Sequence, residues 1–277
     1  MAFKDLGKRL LVAGVGGPLI IAAAWFGKIY FFLLVAAIAI ISANEFIHLL
    51  KQKKSYPPLI LTLPAVFSLC VIVYFNRFGL IIPLIASLVF FALLTEIFRP
   101  ANNAVLNVSG VLTTFLYIGG LMSFMIALRE LPTYLQLDYM AGGEWLVTIL
   151  LAIWICDSAA YFVGSRFGKH KLAAKISPNK TIEGAIGGIV AGLLTTWICQ
   201  MAFAKSLSLQ DALVIGLITG VFGQMSDLVE SMFKRDAGVK DTSSLLPGHG
   251  GVLDRFDSEM LVVPAVYFYL LAKFTLS

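Results

Sequence analysis

The chain alternates long apolar runs with short polar spacers. Apolar stretches near the ~20 residues needed to cross a bilayer fall at 10–26, 29–50, 58–75, 78–98, 104–128, 144–164, 182–204, 209–230 and 257–275, which predicts nine transmembrane helices. Helix breakers occupy the spacers: Lys51 to Pro58, Arg99-Pro100, Leu131 to Gly143, Pro178 and Pro247-Gly248. The first run follows Lys4, Lys8 and Arg9 as a signal peptide would, but no small-residue cleavage pattern precedes a soluble domain and further spans follow at once, so a retained helix is expected. With no fixed-period repeat, low-complexity tract or soluble appendage, the expected fold is an all-α polytopic membrane protein. It forms one domain over 1–277, with N-terminal helices in 1–128 and the helices and loops that carry the chemistry in 144–277.

Composition sharpens this reading. At 59% hydrophobic and 13% charged residues, the chain is too apolar for a soluble domain. Of its 21 Lys and Arg, 16 fall on one side if the N-terminus is cytoplasmic, and only Lys28, Arg77, Arg129, Lys205 and Lys273 fall on the other. The positive-inside rule then predicts an N-in, C-out chain. It also places two polar blocks, 165–181 and 231–256, at the cytoplasmic face. The net charge of +5 is scattered between spans rather than gathered on a soluble surface, which excludes nucleic acid and favours anionic headgroups and phosphorylated substrates. Cys70, Cys156 and Cys199 lie in predicted spans without metal-type spacing and read as small core residues.

The polar residues cluster by helical spacing. Asp227, Glu230, Ser231 and Lys234 follow i, i+3, i+4, i+7 and share one face of the eighth helix. Asp254, Asp257 and Ser258 are expected to share a face at the start of the ninth, so the two stripes can meet near the inner surface. Carboxylates from two helix ends suit Mg²⁺, which keeps some water and takes one or two carboxylates plus substrate phosphate. Capping of a helix N-terminus explains Asp254 and Asp257 equally well. The intervening loop holds Lys234, Arg235 and Lys240, then Gly248, His249, Gly250 and Gly251: cations that offset phosphate charge, and glycines that let backbone N–H groups approach an anion. An ordinary basic loop with a turn is the alternative.

Asp157 ends the sixth helix on a face with Ala160, Tyr161 and Gly164; an acid at that depth is a functional candidate or the partner of a neighbouring cation. Ser177 before Pro178 reads as the N-cap of the seventh helix, whose start offers Lys180 and Thr181 to a phosphate. Glu183 is expected to pair with Lys180 if it has no other role. His48, near Glu45, reads as a packing or interfacial residue, Glu96 as a helix end, and His170 as solvated. No GxSxG, HExxH or Walker-type motif is present, so serine hydrolase, zinc protease and P-loop chemistries lack their residues.

Read as S-x-x-K-R-x-x-x-x-K-D-x-x-x-x-L-P-G-H-G-G-x-x-D-R-x-D, the segment from Ser231 to Asp257 closely resembles the signature of the phosphatidate cytidylyltransferases, or CDP-diacylglycerol synthases. So do Asp157 to Tyr161, Gly164 to Lys171 and Ser177 to Gly184. These motifs cover the C-terminal half. The resemblance implies an enzyme that converts CTP and phosphatidate to CDP-diacylglycerol and pyrophosphate. It also implies a Mg²⁺ site on Asp227 and Asp254, with K⁺ as a second ion, in a polar cavity at the cytoplasmic side of a bacterial inner membrane. Asp257 and Asp157 would support the metal. Lys234, Arg235, Lys240 and Arg255 would neutralise phosphate with help from Lys180, and Ser177, Thr181, Ser231, Gly248, Gly250 and Gly251 would line the substrate site. His249 would contact phosphate or the leaving group. Many members of the family have glycine where this chain has Ser226. The expected partners are CTP, phosphatidate and membrane lipids, with a homodimer allowed. A CTP-dependent lipid kinase and a transporter of a phosphorylated metabolite are the rival classes.

Overall fold

The computed structural model describes residues 2–99, 103–245 and 250–276. Each expected apolar stretch is helical: α1 (Ala2–Phe26), α2 (Lys28–Gln52), α3 (Leu59–Tyr74), α4 (Ile81–Ile97, entered through a turn at Phe78–Leu80), α5 (Ala104–Thr113), α6 (Leu121–Tyr134), α7 (Met140–Phe167), α8 (Ile182–Ala202), α9 (Leu209–Asp236) and α10 (Glu259–Leu276). A π-helical turn at Thr114–Gly120 joins α5 to α6 into one rod. Among the described residues, seven helical segments are long and apolar enough to cross a membrane, while Leu59–Tyr74 and the Gly14–Phe26 part of α1 are shorter. The architecture is therefore all-helical and polytopic. Helices are what such runs must form, because a backbone in hydrocarbon can satisfy its N–H and C=O groups only within the segment.

One small sheet corrects the sequence expectation. Ser177 does not cap a helix: β2 (Ser177–Thr181) pairs antiparallel with β1 (Lys171–Ala173), with Lys171 opposite Thr181 and Ala173 opposite Ser177. The cap of α8 is Thr181, whose hydroxyl accepts from the Gly184 N–H at 3.1 Å. The expected polar face at the start of the ninth span also fails to form. Leu253–Arg255 is a 3₁₀ turn, and α10 begins only at Glu259.

Small residues let the C-terminal helices approach closely. A Cβ on Gly184 would lie 2.7 Å from the Ala160 carbonyl oxygen and one on Gly188 3.0 Å from the Cys156 sulfur, so α8 rests against the backbone of α7. On its other flank, a Cβ on Gly220 of α9 would lie 2.7 Å from the Ile189 Cα. Packing through glycine compensates for the missing hydrophobic drive between helices in lipid.

The junctions meet in two sets, one at each end of the helices. At one end, Lys53 pairs with Asp236 at 3.0 Å, the Tyr56 N–H donates to Asn107 at 2.7 Å, and Lys180 pairs with Asp227 at 2.7 Å. At the other, Lys28 N–H donates to the Tyr139 hydroxyl at 2.7 Å, Ser206 donates to Glu144 at 2.6 Å, and Lys273 pairs with Asp211. Arg129, fully buried, donates to the carbonyls of Ala24, Trp25 and Tyr139 at 2.7, 2.9 and 3.0 Å, closing the C-terminus of α1. Cationic side chains suit orphan carbonyls there.

Candidate active site

The polar stripe on α9 forms as its spacing requires. Ser231 donates to Asp227 Oδ1 at 3.2 Å, and Lys234 pairs with Glu230 one turn back and with Asp254 Oδ1 at 2.7 Å. Asp227 Oδ2 faces the Lys180 ammonium at 2.7 Å, which brings the entry of α8 onto the same stripe. Glu183, expected to take Lys180, instead pairs with His170 at 2.6 Å and accepts from the Lys169 N–H at 3.0 Å, tying the β1 approach to the first turn of α8. Asp157 on α7 lies within electrostatic range of Asp227, Asp257, Lys180 and Arg255. Carboxylates and cations from α7, β2, α9 and the segment before α10 thus converge at one end of the bundle.

Asp254 accepts from four donors. Its Oδ1 takes Lys234, and its Oδ2 accepts from the Thr242 N–H at 2.9 Å, the Thr242 hydroxyl at 2.8 Å and the Gly251 N–H at 2.7 Å. Burial alone would raise this carboxyl, but the Lys234 ammonium and the N–H groups of Gly251 and Thr242 outweigh it and hold Asp254 below the ordinary carboxylate range. Asp257 goes the other way: burial first, then the charge of Asp227, push its carboxyl up. Ser226 donates its hydroxyl to the Asp257 carbonyl, so the departure from glycine fastens α9 to the segment ahead of α10.

Gly250 and Gly251 of the loop face protein carboxylates. Gly250 has φ of 79°, and a Cβ there would lie 2.7 Å from Asp254 Oδ2; a Cβ on Gly251 would lie 2.6 Å from Glu45 Oε2. Only glycine serves at the first on conformation and at the second on space. Arg235 and Lys240 are exposed, with Arg235 donating to the Val239 carbonyl at 3.1 Å. Thr181 is occupied in capping and Ser177 in the hairpin. Gly248 and His249 lie outside the described residues.

Two N-terminal residues reach this site without having been expected there. Glu45, buried in α2, accepts from the Ser243 hydroxyl at 2.6 Å, the Val252 N–H at 3.0 Å and the Leu253 N–H at 2.8 Å. A carboxylate inside an apolar run was the available signal, since such a charge is costly unless satisfied. Tyr117, on the π-helical turn, packs its ring against Phe46 and Phe233 at 5.5 and 5.2 Å between centroids. Its buried hydroxyl has no hydrogen-bond partner among the described residues and lies within electrostatic range of Glu230 and Asp257. No spacing rule foresees the extra residue of a π turn, which re-aims a side chain.

Among the described residues, no three of His, Cys, Asp and Glu converge closely enough to cage a metal ion. Mg²⁺ does not require such a cage, since it binds through one or two carboxylates with substrate phosphate and water. Burial first, and then the charge of Asp227, disfavour the ionised Asp257, and a nearby cation would offset both, so the oxygen donors of Asp227, Asp254 and Asp257 fit that ion.

The chain matches the model of the cytidylyltransferase family over residues 7–272. It is 36% identical over 280 residues to the phosphatidate cytidylyltransferase of Bacillus subtilis (strain 168), an alignment covering 98% of this chain and 99% of that one. The phosphatidate cytidylyltransferase of Staphylococcus saprophyticus is 44% identical over 138 residues, covering 50% of this chain and 53% of that one. That of Staphylococcus epidermidis is 45% identical over 130 residues, covering 47% and 50%.

Proposed function

Since the chain belongs to the cytidylyltransferase family, we propose that it transfers CMP from CTP to phosphatidate, forming CDP-diacylglycerol and pyrophosphate. The observation that carries this reading is the convergence of Asp157, Asp227 and Asp257 with Lys180 and Lys234 from separate elements at one end of an apolar bundle. A lipid phosphate and a nucleotide triphosphate can meet there while acyl chains stay among the helices.

An oxygen of the phosphatidate monoester attacks the α-phosphorus of CTP. The new P–O bond forms as the bond from the α-phosphorus to the bridging oxygen of the β-phosphate breaks, and pyrophosphate leaves with that electron pair. The attacking oxygen is already ionised near neutral pH, so the protein needs no general base. Positioning and charge neutralisation dominate. Lys180 and Lys234 are held in place by their carboxylate partners and present ammonium groups to phosphate oxygens. Exposed Arg235, Lys240 and Arg255 form a basic rim that draws CTP from the cytosol. Asp227 and Asp254, with Asp257 in support, are the residues that would hold Mg²⁺, which would supply charge neutralisation to the triphosphate. The site faces the cytoplasm in an N-in, C-out chain of nine spans, a reading supported by the distribution of Lys and Arg.

The test uses purified protein with CTP, phosphatidate and Mg²⁺, measuring lipid product and pyrophosphate together. Equal amounts of CDP-diacylglycerol and pyrophosphate are expected, with none when diacylglycerol replaces phosphatidate. CDP release with phosphorylation of diacylglycerol would overturn the reading in favour of a lipid kinase, and flux into sealed vesicles without nucleotide turnover in favour of a transporter.

A further inference from the structure

We propose that Glu45, on the second helix, is a positioning residue for cytidylyl transfer: it clasps the loop between α9 and α10 and through it fixes Asp254 and Lys234. The inference rests on the proposed reaction and adds to it a part of the site supplied by the N-terminal helices. Three donors from the loop converge on this one carboxylate, Ser243 Oγ, Val252 N–H and Leu253 N–H, at 2.6, 3.0 and 2.8 Å. The Thr242 hydroxyl oxygen stands between two acids, 2.8 Å from Asp254 Oδ2 and 3.3 Å from Glu45 Oε2, and its single proton serves one of them at a time. The loop therefore links the two acids, with the Val252 and Leu253 N–H groups on Glu45 and the adjacent Gly251 N–H on Asp254, and Asp254 Oδ1 reaches Lys234 on α9 at 2.7 Å.

Several features make this more than packing. Glu45 is only 5% exposed, and its partners among the described residues are neutral donors of the loop rather than a cation. A buried charge satisfied this way is costly to disturb, because each donor it leaves is stranded out of water. The clasp also accounts for Gly251, where a Cβ would meet Thr242 Oγ1 first and Glu45 Oε2 next at 2.6 Å, so Thr242 and Glu45 can both close on the loop only if that residue has no side chain. The segment so held carries Lys240, Thr242 and Gly250 at the end of the bundle where the acids and cations of the site collect.

Four variants test it: Glu45→Gln, Glu45→Asp, Gly251→Ala and the double Glu45→Gln/Gly251→Ala. Glutamine keeps the size of glutamate but sets an amide donor against a backbone donor. Aspartate keeps both acceptors on a shorter stem. Three readouts are taken: hydrogen exchange at Thr242, Val252 and Leu253, melting temperature in detergent, and steady-state constants for each substrate. Glu45→Gln should speed exchange at those amides and cut kcat/KM for CTP at least ~10-fold. KM for phosphatidate should stay within about twofold, because Asp254, which the clasp positions, is proposed to act on the triphosphate. Glu45→Asp should recover part of the loss. Gly251→Ala should reproduce Glu45→Gln, and the double variant should be no worse than either single one, as expected for two residues of one contact. The proposal is overturned if exchange rises while both substrates keep wild-type constants, or if both constants fall together with the melting temperature. Absence of CDP-diacylglycerol from the unaltered protein would instead overturn the reaction, leaving the exchange data as a separate measure of the clasp.

Discussion

The family resemblance assigns Asp227 and Asp254 to the same metal, yet they meet different surroundings. Asp227 has one cation and one hydroxyl as partners and is partly open. Asp254 takes four donors from three residues and organises a loop. Asparagine at each position should therefore give different failures. Asp227→Asn should lower kcat at least ~100-fold while the melting temperature stays near that of the unaltered protein, because its loss falls on phosphate and metal charge. Asp254→Asn should also lose activity but melt earlier, since an amide group facing the N–H groups of Thr242 and Gly251 strands a buried donor at about 1–3 kcal/mol. A combined activity and thermal-melt measurement separates the two. If Asp254→Asn keeps its melting temperature, the loop does not depend on the contacts described. The stripe from Asp227 to Lys234 was legible because helical spacing alone puts those residues on one face. The separate role of Asp254 was not, because its partners Thr242 and Gly251 reach it through a loop with no periodicity.

Elements were legible where hydrophobicity defines them and illegible where pairing does. All nine apolar stretches are helical, for a run of that length has no other way to satisfy its backbone. The Ser177-Pro178 pair read as a helix start because serine and proline favour one locally, but β1 offered the segment a hairpin partner and left Thr181 to cap α8. Glycines set the distance between α7, α8 and α9. This makes Gly220→Val a test of how Lys180 comes to face Asp227. The added side chain would meet the α8 backbone at Ile189 and force the two helices apart. A loss of ~1–3 kcal/mol in stability is expected from overpacking. Turnover should fall further than stability alone explains, because α8 enters the bundle immediately after Lys180. Unchanged turnover in a folded Gly220→Val variant would mean that α8 is free to shift without disturbing the ion pair.

For the whole molecule, orientation is the property on which the site's access to CTP depends, and two independent patterns bear on it. The first is chemical: 16 of the 21 Lys and Arg would fall on one side if the chain crosses nine times. The second is geometric. The junction after α2 meets the end of α9 through Lys53 and Asp236 and the start of α5 through Tyr56 and Asn107, whereas the junction before α2 meets the junction before α7 through Lys28 and Tyr139. Alternate junctions thus meet at opposite ends, as they must if every helix between them crosses the bilayer once. A miscounted span would break this alternation and move every later loop to the other side. Single cysteines at His170 and Lys240, placed in a chain whose Cys70, Cys156 and Cys199 are buried, should therefore be labelled from the same side by an impermeant maleimide. A cysteine at Lys205 should be labelled from the opposite one. In inside-out vesicles His170 and Lys240 should react while Lys205 is protected, and in right-side-out vesicles the order should reverse. Labelling of His170 and Lys240 from opposite sides would split the site across the membrane and sink the nine-span reading. Labelling of both from the outer side would keep the helix count but deny the site its cytosolic nucleotide.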